Sequence, residues 1–288
     1  MCDDEIHQGT PLDPKLSRRA FGAATFAVTA LSAAELQAQA AVGEKDVSLK
    51  TPDGTCDAAL FTPGGQGKHP GVLVWPDIMG LRPVFRDMGR RLASQGYVVL
   101  VVNPFYRSGP ANTVTAGMDF ANPEGRAGLM KLAGALNQET AFRDGPAFQA
   151  FLDAQPQVDK RKKLGVQGYC MGGPLTIRTA ASVPARYGAA ITFHGGGLAT
   201  DKPDSPHLLA PKIKARVVNL IADNDDKRDP TAKDKLKQAF DAAGVSNKEE
   251  VYAGCAHGWT VKGSAVYNEA GAERAWAEMS ALYTSALA

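Results

Sequence analysis

From residue 71 onward the chain alternates short apolar runs with stretches of helical period. The runs are Gly71–Trp75, Tyr97–Val102, Lys163–Val166, Ala189–Phe193 and Ala215–Ile221. They are rich in β-branched residues and nearly continuous, the pattern of strands buried on both faces. Between them, Phe85 to Gln95 carries Met88 and Leu92 ahead of a Gly96 stop signal, and Asp144 to Ala154 places Phe148, Phe151 and Leu152 on one face. Asp234 to Ala243 and Glu269 to Ala286 also read as helices, and Glu249 to Tyr252 as a late strand. Lys45 to Phe61 reads as an opening antiparallel hairpin turned at Pro52-Asp53-Gly54. This β/α alternation predicts a mostly parallel central sheet with helices on both faces. Residues 108–140 break the rhythm with Gly, Asn and Pro, as a cap over a pocket or a long crossover would.

Composition narrows the class without naming a chemistry. The 288 residues are 44% hydrophobic and 22% charged, which suits a chain with a full core. A length of this order fits one large α/β domain, read here as residues 41–288. Thirty-two basic residues against thirty acidic ones leave a net charge of +2, so neither nucleic acid nor an anionic membrane is an expected partner. A small-molecule substrate is the expected one, taken by a monomer or small homo-oligomer. The four cysteines, Cys2, Cys56, Cys170 and Cys255, show no C-x-x-C spacing, and no disulfide framework is expected. Asp223 to Asp229 is dense in carboxylate but has no histidine at ligand spacing, so neither metal nor cofactor is expected.

The first forty residues read as a leader. Ser17-Arg18-Arg19-Ala20-Phe21 resembles the twin-arginine signal of bacterial export, and Ala38-Gln39-Ala40 offers a small-residue cleavage site. The apolar run from Phe21 to Ala34 is shorter than the roughly 20 residues a stable span needs. The expectation is a periplasmic protein beginning near Ala41. The alternative is a cytoplasmic one with a loosely structured arm.

Chemistry concentrates after the third parallel run. Val166-Gln167 leads into Gly168-Tyr169-Cys170-Met171-Gly172-Gly173, a G-x-C-x-G form of the nucleophile elbow. At such a strand-to-helix turn, side chains two residues to either side of the nucleophile would meet neighbouring backbone, and glycine removes them. The helix that begins there favours a thiolate at its N-terminus, and the Met171 N–H is placed to receive an oxyanion. Partners follow in the order nucleophile, acid, histidine. Asp223, Asp225 and Asp226 follow the strand ending at Ile221, and His257 follows the strand ending at Tyr252. Both turns fall at carboxyl ends of strands, where open α/β sheets gather their sites. The predicted fold is therefore the α/β-hydrolase fold, with Cys170 as nucleophile and His257 as base and acid. His194-Gly195-Gly196-Gly197 looks like the oxyanion motif of lipases, but it follows the elbow rather than preceding it, and reads as a glycine-rich turn near the site.

From about Lys45 to the C-terminus these motifs resemble the dienelactone hydrolase family. The resemblance rests on the G-Y-C-x-G-G elbow, on Trp75-Pro76-Asp77-Ile78-Met79-Gly80-Leu81-Arg82, and on His257-Gly258-Trp259. It implies hydrolysis of a small ester or lactone, an activity of the carboxymethylenebutenolidase type. It implies that Asp77 stands where the family keeps an acid that helps form the thiolate, and that the Ile78 N–H is the second oxyanion donor. It implies Asp225 as the triad acid, three residues after Ala222, with Asp226 the close alternative. It matches Arg107 to an arginine that holds a substrate carboxylate. A second such arginine is missing, since Val261 stands at its place and Lys262 one further on. An esterase or thioesterase for neutral acyl groups is therefore the rival reading, and a redox-sensing scaffold on the same fold is another.

Overall fold

The computed structural model describes residues 42–288, so the leader and Cys2 lie outside the described residues. Eight strands form one sheet in the order β1-β2-β4-β3-β5-β6-β7-β8. They are β1 (Gly43–Thr51), β2 (Gly54–Thr62), β3 (Gly71–Trp75), β4 (Val98–Val102), β5 (Leu164–Tyr169), β6 (Tyr187–Phe193), β7 (Arg216–Ala222) and β8 (Asn247–Tyr252). The β1–β2 hairpin is antiparallel and joins β4 antiparallel; the remaining six strands run parallel. The hairpin turns at Pro52 and Asp53, where the sequence signals it, and pairs Leu49 with Cys56. This is the α/β-hydrolase architecture, a mostly parallel sheet with its helices on two faces.

Alternate residues of the buried strands feed two cores. On one face Leu73 and Trp75 pack with α3 (Gln138–Asp153), through Phe148 and Leu152, and with α4 (Gly172–Ser182), through Leu175 and Ile177. On the other, Val72 and Val74 pack with α1 (Pro83–Ser94), through Phe85 and Leu92, and with α7 (Glu269–Ala286), through Trp276 and Met279. Each such side chain contributes roughly 1.5–3 kcal/mol by leaving water.

The other helices are α2 (Pro123–Gly134), α5 (Asp223–Arg228) and α6 (Ala232–Ala242), with a 3₁₀ turn at Pro206–Lys212. The irregular stretch 108–140 contains α2, capped by the Asn122 side chain on the Glu124 N–H. Only Leu129 of α2 is buried, which is why its helical period is weak in sequence. Helix α3 begins six residues before the expected Asp144, because Asn137 and Thr140 form a reciprocal capping box. The carboxylate-rich segment after β7 is a one-turn helix: three acids sit in its first turn and Lys227 and Arg228 in its last, in line with the helix dipole. Among the described residues no helix is long and apolar enough to cross a membrane.

Candidate active site

The site is built at the carboxyl ends of β5, β7 and β8. Cys170 follows β5 and adopts a left-handed backbone, φ +53°, which costs a non-glycine residue about 1–3 kcal/mol. The turn is held from both sides: the Cys170 N–H donates to the Phe193 carbonyl at 3.0 Å, and the Gly173 N–H donates to the Cys170 carbonyl at 3.0 Å. The flanking glycines are steric necessities. A Cβ on Gly168 would lie 2.1 Å from the Gly172 carbonyl oxygen, and one on Gly172 would lie 2.5 Å from the Trp75 carbonyl oxygen. Cys170 stays partly exposed at the head of α4.

His257 follows β8. Its Nδ1 lies 2.5 Å from Asp225 Oδ2, and its backbone N–H donates to Asn224 Oδ1 at 2.8 Å. With Nδ1 taken by Asp225, Nε2 is the ring atom left for Cys170, which with Asp225 favours the charged ring. Burial opposes the charged imidazole. The hydrogen bonds to Asp225 and Cys170 outweigh it, and His257 is raised from 6.5 to about 10.

Of the three carboxylates left open by sequence, Asp225 alone meets the ring. Asp226 pairs with Lys233 at 2.6 Å and Asp223 with Lys227 at 2.8 Å. The second oxygen of Asp225 accepts from Arg228 Nη2 at 2.6 Å. Asn224 and Arg228 were not singled out from sequence. Each lies within three residues of Asp225 on α5, but a one-turn helix leaves no periodic signal.

His194 is the other non-glycine residue with positive φ among those described, at +42°. It is buried, its Nε2 is 2.9 Å from Thr260 Oγ1, and its ring centroid lies 4.9 Å from that of His257. Burial, helped by the charge on His257, holds it well below the ordinary histidine range. The glycine turn behind it packs on the elbow helix: a Cβ on Gly173 would lie 2.7 Å from the Gly195 Cα.

Asp77 is engaged elsewhere. Arg82 grips both its oxygens, Nη1 to Oδ1 at 2.5 Å and Nη2 to Oδ2 at 2.8 Å, and the Met79 N–H donates to Oδ1 at 2.9 Å. Among the described residues no hydrogen bond joins Asp77 to Cys170. The pair fixes the loop that carries Ile78, and Thr115 ties the 108–140 stretch to the same loop through the Met79 carbonyl at 3.2 Å. Arg107 is likewise occupied. All three of its guanidinium nitrogens donate to carboxylates, to Asp53 through Nε and Nη2 and to Asp144 through Nη1 and Nη2. The Asp144 side chain is 2% exposed, so this arginine neutralises a buried acid rather than offering a free fork to substrate. Val261, where a second arginine would stand, is buried.

A 460 Å³ groove lies beside α4, lined by Met171, Leu175 and Arg178 of the elbow segment and by Met130, Leu136 and Asp204 across from them. A separate cavity of 160 Å³ lies behind Asp225 and the glycine turn. No group of three or more His, Cys, Asp or Glu is arranged to hold a metal among the described residues.

This combination of sheet order and elbow defines an α/β-hydrolase. The Dienelactone hydrolase family profile matches residues 56–287, and the chain belongs to that family. It is 26% identical over 234 residues to a protein of Methylorubrum extorquens named "Putative carboxymethylenebutenolidase", spanning 80% of this chain and 77% of that one. A relative of the same name from Synechocystis is also 26% identical, over 79% of this chain and 91% of its own length. Among solved structures, the protein m3DLH superposes with a TM-score of 0.70 at 26% identity, covering 86% of this chain and all of its own.

Proposed function

We propose that this protein hydrolyses small esters or lactones through Cys170, His257 and Asp225. The observation that carries the reading is His257 held between a carboxylate at 2.5 Å and a thiol on a strained elbow. A charged imidazole facing sulfur favours attack by the thiolate form. The thiolate attacks the carbonyl carbon, and the carbonyl electron pair moves to oxygen, where the N–H groups of Met171 and Ile78 receive it. Collapse breaks the C–O bond. The leaving oxygen takes the Nε2 proton of His257 and departs as the alcohol, leaving a thioester on Cys170. Neutral His257 then takes a proton from water, hydroxide attacks the thioester, and the acid leaves as thiolate and imidazolium are restored.

In this scheme Asp77 holds Ile78 in place through Arg82. A direct role in forming the thiolate requires Arg82 to release it when substrate binds. Because Arg107 is bonded to Asp53 and Asp144, a carboxylate close to the scissile bond finds no ready partner there, which favours a substrate uncharged near the reacting carbon.

The test is hydrolysis of 4-nitrophenyl acetate and of a simple unsaturated lactone by wild type and Cys170→Ala. Loss of about 10³-fold or more in kcat with an unchanged circular-dichroism spectrum is expected, because members of such a set act as a unit. Equal rates in the two proteins would reject the assignment.

A further inference from the structure

The hydrolytic scheme gives the buried ring of His194 no part, yet this residue stands where the turns carrying Cys170, Asp225 and His257 can be joined. In the sheet order β5-β6-β7-β8, the end of β6 lies between the strands that lead to Cys170 and to Asp225. Its backbone meets both. The Phe193 carbonyl accepts from the Cys170 N–H at 3.0 Å, and the His194 N–H donates to the Leu220 carbonyl at 2.8 Å. The turn that carries His257 follows β8, two strands away, or roughly 9.5 Å at the usual strand spacing. A side chain crosses that gap: His194 Nε2 is 2.9 Å from Thr260 Oγ1, just past His257 in the chain. The His194 ring centroid lies 4.9 Å from that of His257 and 5.2 Å from that of Trp259, with the planes tilted at 60° and 68°. These are tilted and edge-on contacts of packed rings. Asp225 holds the His257 ring at Nδ1, and a bond at one atom fixes a point rather than a plane. The backbone at His194 is left-handed, φ +42°, although glycine occupies the next three positions. A side chain there costs about 1–3 kcal/mol, which its contacts must offset. Burial keeps the ring uncharged, so it sets no second positive charge beside His257.

We propose that His194 is a positioning residue whose ring fixes the plane of the His257 imidazole, and with it the aim of Nε2 at Cys170. This rests on the hydrolase reading above and adds a residue from outside the set of three. The role is mechanical. Backbone bonds tie the Cys170 turn and the end of β7 to the end of β6, and the His194 side chain carries that frame across to the His257 turn. Without the ring, His257 keeps its bond to Asp225 but is free to rotate about it. A misplacement of about 1 Å in such a group costs on the order of 10²-fold in rate. His194 is buried, so the loss belongs in kcat rather than in KM.

The experiment compares wild type with three variants on 4-nitrophenyl acetate, each checked by circular dichroism and urea unfolding. His194→Ala removes both ring and bond, and is expected to lower kcat by about 10- to 100-fold with KM within about 2-fold. His194→Phe keeps a ring and loses the bond to Thr260. It is expected to recover kcat to within about 5-fold of wild type, the range for one neutral hydrogen bond. His194→Gln keeps a polar end for Thr260 and lacks the ring, and is expected to stay near the alanine level. If His194→Ala fails to fold, Phe against Gln decides. A merely structural residue would lower the urea midpoint and leave kcat in place. Wild-type kcat in a folded His194→Ala, or a kcat in His194→Gln equal to or above that in His194→Phe, would overturn the role. Alkylation of Cys170 by iodoacetamide, followed on its peptide by mass spectrometry, needs no ester. A fall of about 10-fold in His194→Gln that His194→Phe restores supports the positioning role even if every ester proves inert. Alkylation and kcat both unmoved in a folded His194→Gln would remove the role and leave ester hydrolysis by Cys170 standing.

Discussion

His257 carries the most consequential shift in the site, and its sign dictates how the protein responds to pH. Its value lies above the ordinary 6.5, at about 10, because Asp225 and Cys170 favour the charged ring more than burial disfavours it. A raised value in the folded state stabilises the fold fully below about 6.5, and that contribution fades as pH rises through about 10. Removing the Asp225 charge takes away the leading favourable contact. Asp225→Asn is therefore expected to move the His257 Cε1–H titration midpoint, read by proton NMR, to lower pH. The alkaline loss of esterase activity should move with it. A midpoint unmoved in Asp225→Asn would mean that Asp225 is not what charges the ring.

At the scale of elements, the elbow is a three-way contact between β3, β5 and α4, and its glycines record how closely they approach. Gly172→Ala places a methyl 2.5 Å from the Trp75 carbonyl oxygen and 2.8 Å from that of Pro76, both backbone atoms that cannot step aside. We expect a loss of about 3 kcal/mol or more in urea unfolding, well above the median for single substitutions. The joint of β1–β2 to α3 depends instead on charge. Arg107 bridges Asp53 in the hairpin turn to Asp144 in α3, and Tyr106 Oη adds a bond to Asp144 at 2.7 Å. Arg107→Ala leaves a buried carboxylate unpaired, which costs about 3–5 kcal/mol in comparable cases. Its expected signature is lower stability with KM unchanged for charged and neutral esters alike. A selective rise in KM for charged esters would return Arg107 to the substrate.

These two joints also show what could be read from sequence and what could not. The elbow was legible because its constraint is local: a strand running into a glycine, a cysteine and a glycine within five residues. The order of Cys170, the carboxylate cluster and His257 was legible for the same reason, each lying just past a run of buried-strand composition. Which carboxylate meets the ring was not legible from spacing alone, because Asp223, Asp225 and Asp226 differ only in where a six-residue helix turns them. The engagements of Arg107 and Asp77 were invisible too. Asp53 and Asp144 lie 54 and 37 residues from Arg107, and only folding brings them to it. Arg82 lies five residues from Asp77, but nothing in that spacing distinguishes a loop staple from a free acid.

For the whole molecule, the last helix completes what the first strands begin. Helix α7 covers one face of the sheet: Tyr283 Oη donates to Gln167 Oε1 at 2.9 Å, and Trp276 Nε1 to Gln95 Oε1 at 3.1 Å. Both of these partners were made more than a hundred residues earlier. The second core, from Ala59 to Leu287, cannot close until the chain is finished. A sheet of this kind acquires its site only after synthesis ends, since β5, β7 and β8 must all be in place. We therefore propose that the leader, with its Arg18-Arg19 pair, directs a protein that folds before it is exported, as its resemblance to a twin-arginine signal implies. The full chain is then expected in the periplasmic fraction of a bacterial host, with a mature N-terminus near Ala41. Replacing both Arg18 and Arg19 by lysine should leave it in the cytoplasm, folded and active. Deleting residues 269–288 should strip the cover from Phe193 of β6 and Leu220 of β7 and yield insoluble chain that is not exported by either leader. Periplasmic protein that is indifferent to the Arg18-Arg19 replacement would show that the pair plays no part in export.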